Sequence, residues 1–137
     1  MSRSGYSDDC EYLGLWRGQV ASASFGRRGQ QFFRDLVAAL DAMPEKRLVK
    51  GALETKEGAV CALGCLAKHR GVPTAELDTY DYDQLGQTFN IAHQLAQETM
   101  YENDDRYGTT DENRWQRMRD WAAQQILVTP EELEPAP

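Results

Sequence analysis

Apolar residues recur every three or four positions over most of the chain, the period typical of helices that bury one face. The acidic pair Asp8 and Asp9 suits the start of a first helix, which ends at Phe25. Its apolar positions are Tyr12, Leu13, Trp16 and Val20. A second helix, ending at Pro44, carries the stripe Phe32, Phe33, Leu36, Val37, Leu40 and Met43. The first third of the chain is therefore predicted to be helical.

The pattern changes in the middle of the chain. Residues 48–53 alternate loosely and a turn follows at 55–58, so this segment can pair with residues 59–61 as a short β-hairpin. From Val60 to Arg70 the apolar residues are nearly continuous. Gly71 and Pro73 then give the usual stop, which predicts a short, buried helix over 60–70.

Two further helices are predicted in the second half. A stripe over about eighteen residues, capped by Asp81 or Asp83, indicates one long central helix. Its members are Leu85, Phe89, Ala92, Leu95, Ala96 and Thr99. Thr109 and Glu112 have the spacing of a capping box at the start of a last helix. Its apolar face is Trp115, Met118, Ala122 and Ile126.

The fold prediction is a mainly α, or α+β, single-domain bundle of about five helices that admits one short β-hairpin. The domain covers residues 1–128. The segment 129–137 is rich in Pro and Glu, has little to bury and is predicted to be a disordered tail. A chain of 137 residues needs only one core.

Charge and cysteine usage limit the function classes. The net charge of −7 disfavours direct binding of DNA or RNA and favours docking on a basic protein surface. Three cysteines without a signal segment indicate a reducing cytoplasm. The sequence contains no apolar run long enough to cross a membrane and no motif that predicts a cofactor.

Cys61, Cys65 and His69 are spaced four residues apart and would share one face of a helix. Such a face can be read as a metal site or as part of the core. Three ligands in a row on one helix cannot close a tetrahedron around zinc without bending it. The core interpretation is therefore preferred, and no metal site is predicted.

Arg27, Arg28, Gly29 and Gln30 follow Gly26 directly before the second helix. Free backbone N–H groups, glycines that allow close approach and two guanidinium groups make this turn a candidate anion site. It lacks the Lys-Ser/Thr of a phosphate-binding loop, so nucleotide hydrolysis has no support. An ordinary solvent-exposed turn is the alternative interpretation.

Acidic residues and tyrosines cluster at both ends of the predicted central helix. They are Tyr80, Asp81, Tyr82 and Asp83 at one end, and Tyr101, Glu102, Asn103, Asp104 and Asp105 at the other. Their spacing does not match a calcium-binding EF-hand loop. Tyrosines among carboxylates favour a partner-binding surface over a metal site. No Ser-His-Asp arrangement or other catalytic constellation was found, so an enzyme is not predicted.

Several short segments resemble a group of small accessory proteins of tailed phages and prophages. The matching segments lie within residues 1–127 and are 1–10, 28–30, 42–48, 60–64 and 101–104. The resemblance implies a protein made in the cytoplasm of a bacterial host. It also implies a protein that blocks a host defence complex, as anti-CRISPR proteins do.

The leading functional hypothesis is a non-enzymatic inhibitor that binds a host defence protein complex through its acidic surface. The alternative is a binder, or sponge, that holds an anionic nucleotide signal at the Gly26 to Gln30 turn. The oligomeric state is not predicted.

Overall fold

The computed structural model describes residues 13–104 and 109–127 of the chain. Six helices lie in these two ranges, and a mainly helical, bundle-like arrangement is confirmed. Their bounds are α1 Leu13–Phe25, α2 Arg27–Asp41, α3 Ala62–Arg70, α4 Tyr82–Phe89, α5 His93–Asp104 and α6 Asp111–Gln125. The starts predicted at Asp8 and Asp9 and the predicted tail 129–137 lie outside the described residues.

The core is built around α2. Most of its predicted stripe is buried: Phe32, Phe33, Leu36 and Leu40 lose all contact with solvent, and Val37 and Met43 are partly buried. The helix packs against α1, α3 and α6, and Phe33 meets the ring of Trp121 on α6 edge to face at 5.2 Å between centroids. Helix α3 is buried over Ala62 to Ala67, which agrees with its continuous apolar sequence.

The single central helix predicted from the apolar stripe is wrong, because two shorter helices occupy that segment. Asn90 ends α4 in the left-handed conformation, with φ of 58°, and α5 begins at His93. Asparagine tolerates this conformation better than most residues. The chain turns back tightly here, since a Cβ on Gly86 would lie only 2.7 Å from the carbonyl oxygen of Ile91. Helices α4 and α5 consequently pack against each other.

The segment between α2 and α3 does not form the predicted hairpin strands. Only an isolated antiparallel bridge joins Glu54 and Val60, around the turn at 55–58. The segment instead packs closely on α3, where a Cβ on Gly64 would lie 1.9 Å from the carbonyl oxygen of Leu53. The backbone of this segment therefore needs hydrogen-bond partners other than a strand ladder.

Two buried polar side chains provide several of those partners. Asn103, at the end of α5, accepts a hydrogen bond from the backbone N–H of Ala62 and donates one to the carbonyl of Val49, both at 3.0 Å. Arg114, on α6, donates to the carbonyls of Leu48 at 3.0 Å and Asn103 at 2.9 Å. We call Asn103 and Arg114 the buried polar pair. It links the irregular segment, α3, α5 and α6.

Helix α6 begins one residue later than the capping box predicts. Thr110, rather than Thr109, is the N-cap and accepts from the backbone N–H of Asn113 at 3.1 Å. The first turn still carries Asp111 and Glu112, whose charges stabilise the helix start. None of the described helices is both long and apolar enough to cross a membrane.

Replacing Asn103 by Ala is expected to lower the free energy of unfolding by on the order of 3 kcal/mol, because a buried N–H and a buried carbonyl lose their partner. Urea denaturation followed by circular dichroism measures the loss. The matched control is Asn113→Ala, which makes the same chemical change at an exposed position of α6 and should alter stability by less than about 0.5 kcal/mol. Equal losses in the two variants would refute a special role for Asn103.

Candidate functional site

A groove of about 650 Å³ runs between α1 and the starts of α2 and α5. Small residues form much of its surface and leave the space open, among them Gly14, Gly18, Ser22 and Gly26. Arg27 and Arg28 of α2 and Gln94 of α5 also line it. We call this cavity the arginine groove.

The arginine groove is basic although the chain is acidic. Among the described residues that line it, two are arginines and none is Asp or Glu. Both guanidinium groups belong to exposed residues, and no ion pair between described residues involves either one. Arg28 makes one long contact, from its Nη1 to Oδ1 of Asn90 at 3.4 Å. Its donors therefore remain largely available to a ligand.

The two arginines do not precede α2, as the sequence analysis predicts, but form its first turn. The N-cap is Gly26, which has no side chain to accept from the backbone N–H groups of that turn. A helix start without a side-chain cap carries partial positive charge that favours an anion nearby. The helix dipole and the guanidinium groups thus act on the same end of the groove.

Gly29 and Gln30 have structural roles at this corner. Gly29 is buried, and a Cβ there would lie 1.9 Å from the carbonyl oxygen of Ala23 at the end of α1. The amide of Gln30 donates to the carbonyls of Ser24 and Gln125, both at 2.8 Å, and accepts from the backbone N–H of Leu127. Gln30 therefore ties α1 to the end of α6, and the candidate anion contacts that remain are those of Arg27 and Arg28.

A second cavity, of about 420 Å³, shares Arg28 with the arginine groove. We call it the α4–α5 pocket; its polar lining side chains are Arg28, Asp83, Gln87, Asn90 and His93. His93 Nδ1 lies 3.7 Å from Asp83 Oδ1, and both side chains are at least half exposed. Sequence reasoning missed Gln87 and Asn90, because one long helix would have no turn at Asn90 to bring the start of α5 back beside α4.

The first acidic segment is largely exposed. Tyr80 is 61% exposed and Asp83 shows most of its side chain to solvent. Asp81 is also the N-cap of α4 and accepts from the backbone N–H of Gln84 at 3.1 Å. Tyr82 is partly buried, and burial raises its pKa, with smaller contributions from Tyr80 and Asp104.

The second acidic segment is divided between surface and core. Tyr101, Glu102 and Asp104 are partly exposed, and Asp104 accepts from the backbone N–H of Gly51 at 3.3 Å. Asn103 is instead fully buried in the polar pair, so it does not belong to the surface where the sequence analysis puts it. Asp105 lies outside the described residues.

The break at Asn90 lets α4 and α5, which carry the two acidic segments, pack against each other. In one continuous helix, Tyr82 and Asp104 would be separated by about 33 Å. In the folded chain the charge of Asp104 contributes to raising the pKa of the Tyr82 phenol, after the larger effects of burial and Tyr80. We call the exposed part of these segments the acidic surface: Tyr80, Asp81, Asp83, Tyr101, Glu102 and Asp104.

The metal-site interpretation involves three residues that differ in burial: Cys61, Cys65 and His69. Cys61 is the N-cap of α3 and is buried, as is Cys65, whereas His69 is exposed. Burial raises the pKa of the Cys61 thiol to about 12 and that of the Cys65 thiol to about 11. Both thiols therefore remain protonated near neutral pH, the form that suits packing rather than metal binding. The described residues contain no group of three or more His, Cys, Asp or Glu that could hold a metal ion.

Comparisons with protein-family models, curated proteins and solved structures gave no match to this chain.

Replacing Gly29 and Gly18 by Ala is expected to change the free energy of unfolding in opposite directions. Gly29→Ala forces a methyl group into the backbone of α1 and should lower the free energy of unfolding by about 1 to 3 kcal/mol. A Cβ added at Gly18 would have no neighbouring atom within 4 Å. Gly18→Ala should therefore raise the free energy of unfolding by up to about 1 kcal/mol, because alanine favours the helix. Thermal unfolding of both variants checks the sign. A stabilised Gly29→Ala protein would show that α1 does not pack this closely on α2.

Proposed function

We propose that this chain is a non-catalytic binding protein that holds a small anionic ligand, of the phosphate or nucleotide kind, in the arginine groove. The observation that carries the proposal is the charge of that cavity. In a chain of net charge −7, the groove has two unpaired arginines and no carboxylate among its described lining residues.

The dimensions and chemistry of the groove support this ligand class. Its volume of about 650 Å³ is within the range of about 300 to 1,000 Å³ that is usual for small-molecule sites. Guanidinium groups match the oxygens of a phosphate in pairs, and such charge-assisted bonds are stronger than neutral ones. The uncapped start of α2 adds favourable dipoles at the same place.

A protein that binds such a ligand without converting it acts by sequestration. The resemblance to phage accessory proteins makes a bacterial signal nucleotide one candidate ligand. Sequestering the signal would then silence the defence response that depends on it.

Arg27→Ala is expected to weaken the binding of inorganic pyrophosphate about tenfold or more, because one charge-assisted contact is lost. Isothermal titration calorimetry at low ionic strength measures the change. Arg47→Ala is the matched control, because Arg47 is an exposed arginine outside the groove that pairs with Glu45. If pyrophosphate does not bind, or if both variants weaken it equally, the groove is not an anion site.

A second candidate function uses the acidic surface. The exposed Tyr80 beside Asp81 and Asp83 favours docking on a basic protein, since complementary charge speeds encounter and a tyrosine can both pack and hydrogen-bond. With the phage resemblance, the proposed partner is a host defence complex of the CRISPR type. The chain would then act as a non-enzymatic inhibitor.

The second candidate predicts that Tyr80→Ala with Asp83→Lys abolishes protection of a phage in a bacterium with active CRISPR immunity. The change removes an aromatic anchor and reverses a charge on the acidic surface. Plaquing efficiency measures protection, and Asp120→Lys on α6 is the control for charge reversal at an exposed site. If the wild-type chain gives no protection, or if the control loses as much, the acidic surface is not the docking site in this system.

A further inference from the structure

Arg28 lines both the arginine groove and the α4–α5 pocket, so the two cavities share this residue. Among the described residues its side chain makes one hydrogen-bonding contact, the 3.4 Å approach of Nη1 to Oδ1 of Asn90. That distance is longer than a normal N–H···O hydrogen bond. Because the cavities share Arg28, one ligand can contact residues of both.

The chemistry of the α4–α5 pocket differs from that of the groove. Asp83 offers a carboxylate acceptor, and the amides of Gln87 and Asn90 offer both donors and acceptors. The carboxylate of Asp83 disfavours a second phosphate in this cavity but suits hydroxyl donors. These hydrogen-bonding side chains favour a neutral, polar portion of a ligand in this pocket.

The pocket is less suited to a nucleobase. Proteins commonly hold a base by stacking it on an aromatic ring or on a guanidinium plane. The pocket offers two such groups, the imidazole of His93, which lies 3.7 Å from Asp83, and the guanidinium of Arg28, which is assigned to the phosphate. None of its described lining residues is Phe, Tyr or Trp. A hydroxyl-rich group needs no such platform.

We infer that the arginine groove and the α4–α5 pocket form one bipartite site for a phosphorylated sugar. Arg27 and Arg28 hold the phosphate, and Asp83, Gln87 and Asn90 bind hydroxyl groups of the sugar. This inference rests on the proposed anion-binding function and narrows its ligand class. It assigns roles to α4 and α5 side chains that anion binding alone does not require.

The test compares inorganic phosphate, ribose 5-phosphate and AMP by isothermal titration calorimetry on the full chain. Ribose 5-phosphate should bind at least about tenfold more tightly than phosphate, since two or more neutral hydrogen bonds are added. AMP should bind no more tightly than ribose 5-phosphate. Arg27→Ala should weaken both phosphate and ribose 5-phosphate by the same factor.

The sugar contacts are tested by two separate variants. Asn90→Gly removes the amide and keeps a residue that accepts φ of 58°, and Gln87→Ala changes an exposed helical position. Each should reduce the advantage of ribose 5-phosphate over phosphate about threefold or more, and Gln87→Ala should leave phosphate binding unchanged. Gln124→Ala, at an exposed position of α6, is the control and should change neither affinity.

The outcomes separate the two proposals. If phosphate binds and depends on Arg27 but ribose 5-phosphate binds no more tightly, the bipartite site is refuted and the anion site stands. If AMP binds about tenfold more tightly than ribose 5-phosphate, the second cavity is a base site and the sugar assignment is wrong. If neither phosphate nor ribose 5-phosphate binds, both proposals fail.

Discussion

The fold depends on the hydrogen bonds that Asn103 and Arg114 make in the interior. The segment between α2 and α3 has only one isolated bridge and a few backbone–backbone hydrogen bonds, such as the one from the N–H of Val49 to the carbonyl of Val60, so side chains must satisfy part of its backbone. The buried polar pair binds the carbonyls of Leu48 and Val49 and the N–H of Ala62, which fixes this segment against α3, α5 and α6. Arg114 also stabilises the end of α5, where its positive charge meets the negative end of the helix dipole.

The reversal at Asn90 determines where the functional surfaces lie. It places the start of α5 beside the starts of α2 and α4, so Arg28 of α2 lines two cavities. It also packs α4 against α5, the two helices that carry the acidic segments. The same turn therefore contributes to both candidate functions. The carboxylates of these segments do not line the arginine groove, and this separation of charge lets an acidic protein present a basic cavity.

The apolar periodicity predicted most of the helices correctly, because burial of one face is a local property that spacing reveals. The stripe of α2, the continuous apolar run of α3 and the apolar face of α6 are buried as expected, although Val37, Met43, Trp115 and Ile126 are only partly so. The central helix was misjudged because Ala92 and Leu95 continue the stripe of Leu85 and Phe89 across the turn. Periodicity cannot distinguish one helix from two that pack with the same face inward. The clues to the turn, Gly86 and Asn90, also occur within ordinary helices.

Composition and local spacing are enough to predict the helical class, the acidic balance, the arginine pair beside Gly26 and the tyrosine-bearing acidic segments. The interior roles of Gln30 and Asn103 emerge only when the chain is folded, because their backbone partners are distant in sequence, as with Gln125 for Gln30. The same is true of the contact between Arg28 and Asn90, which are 62 positions apart in the sequence. A cavity is formed by packing between distant segments, and local sequence does not show which segments will pack together.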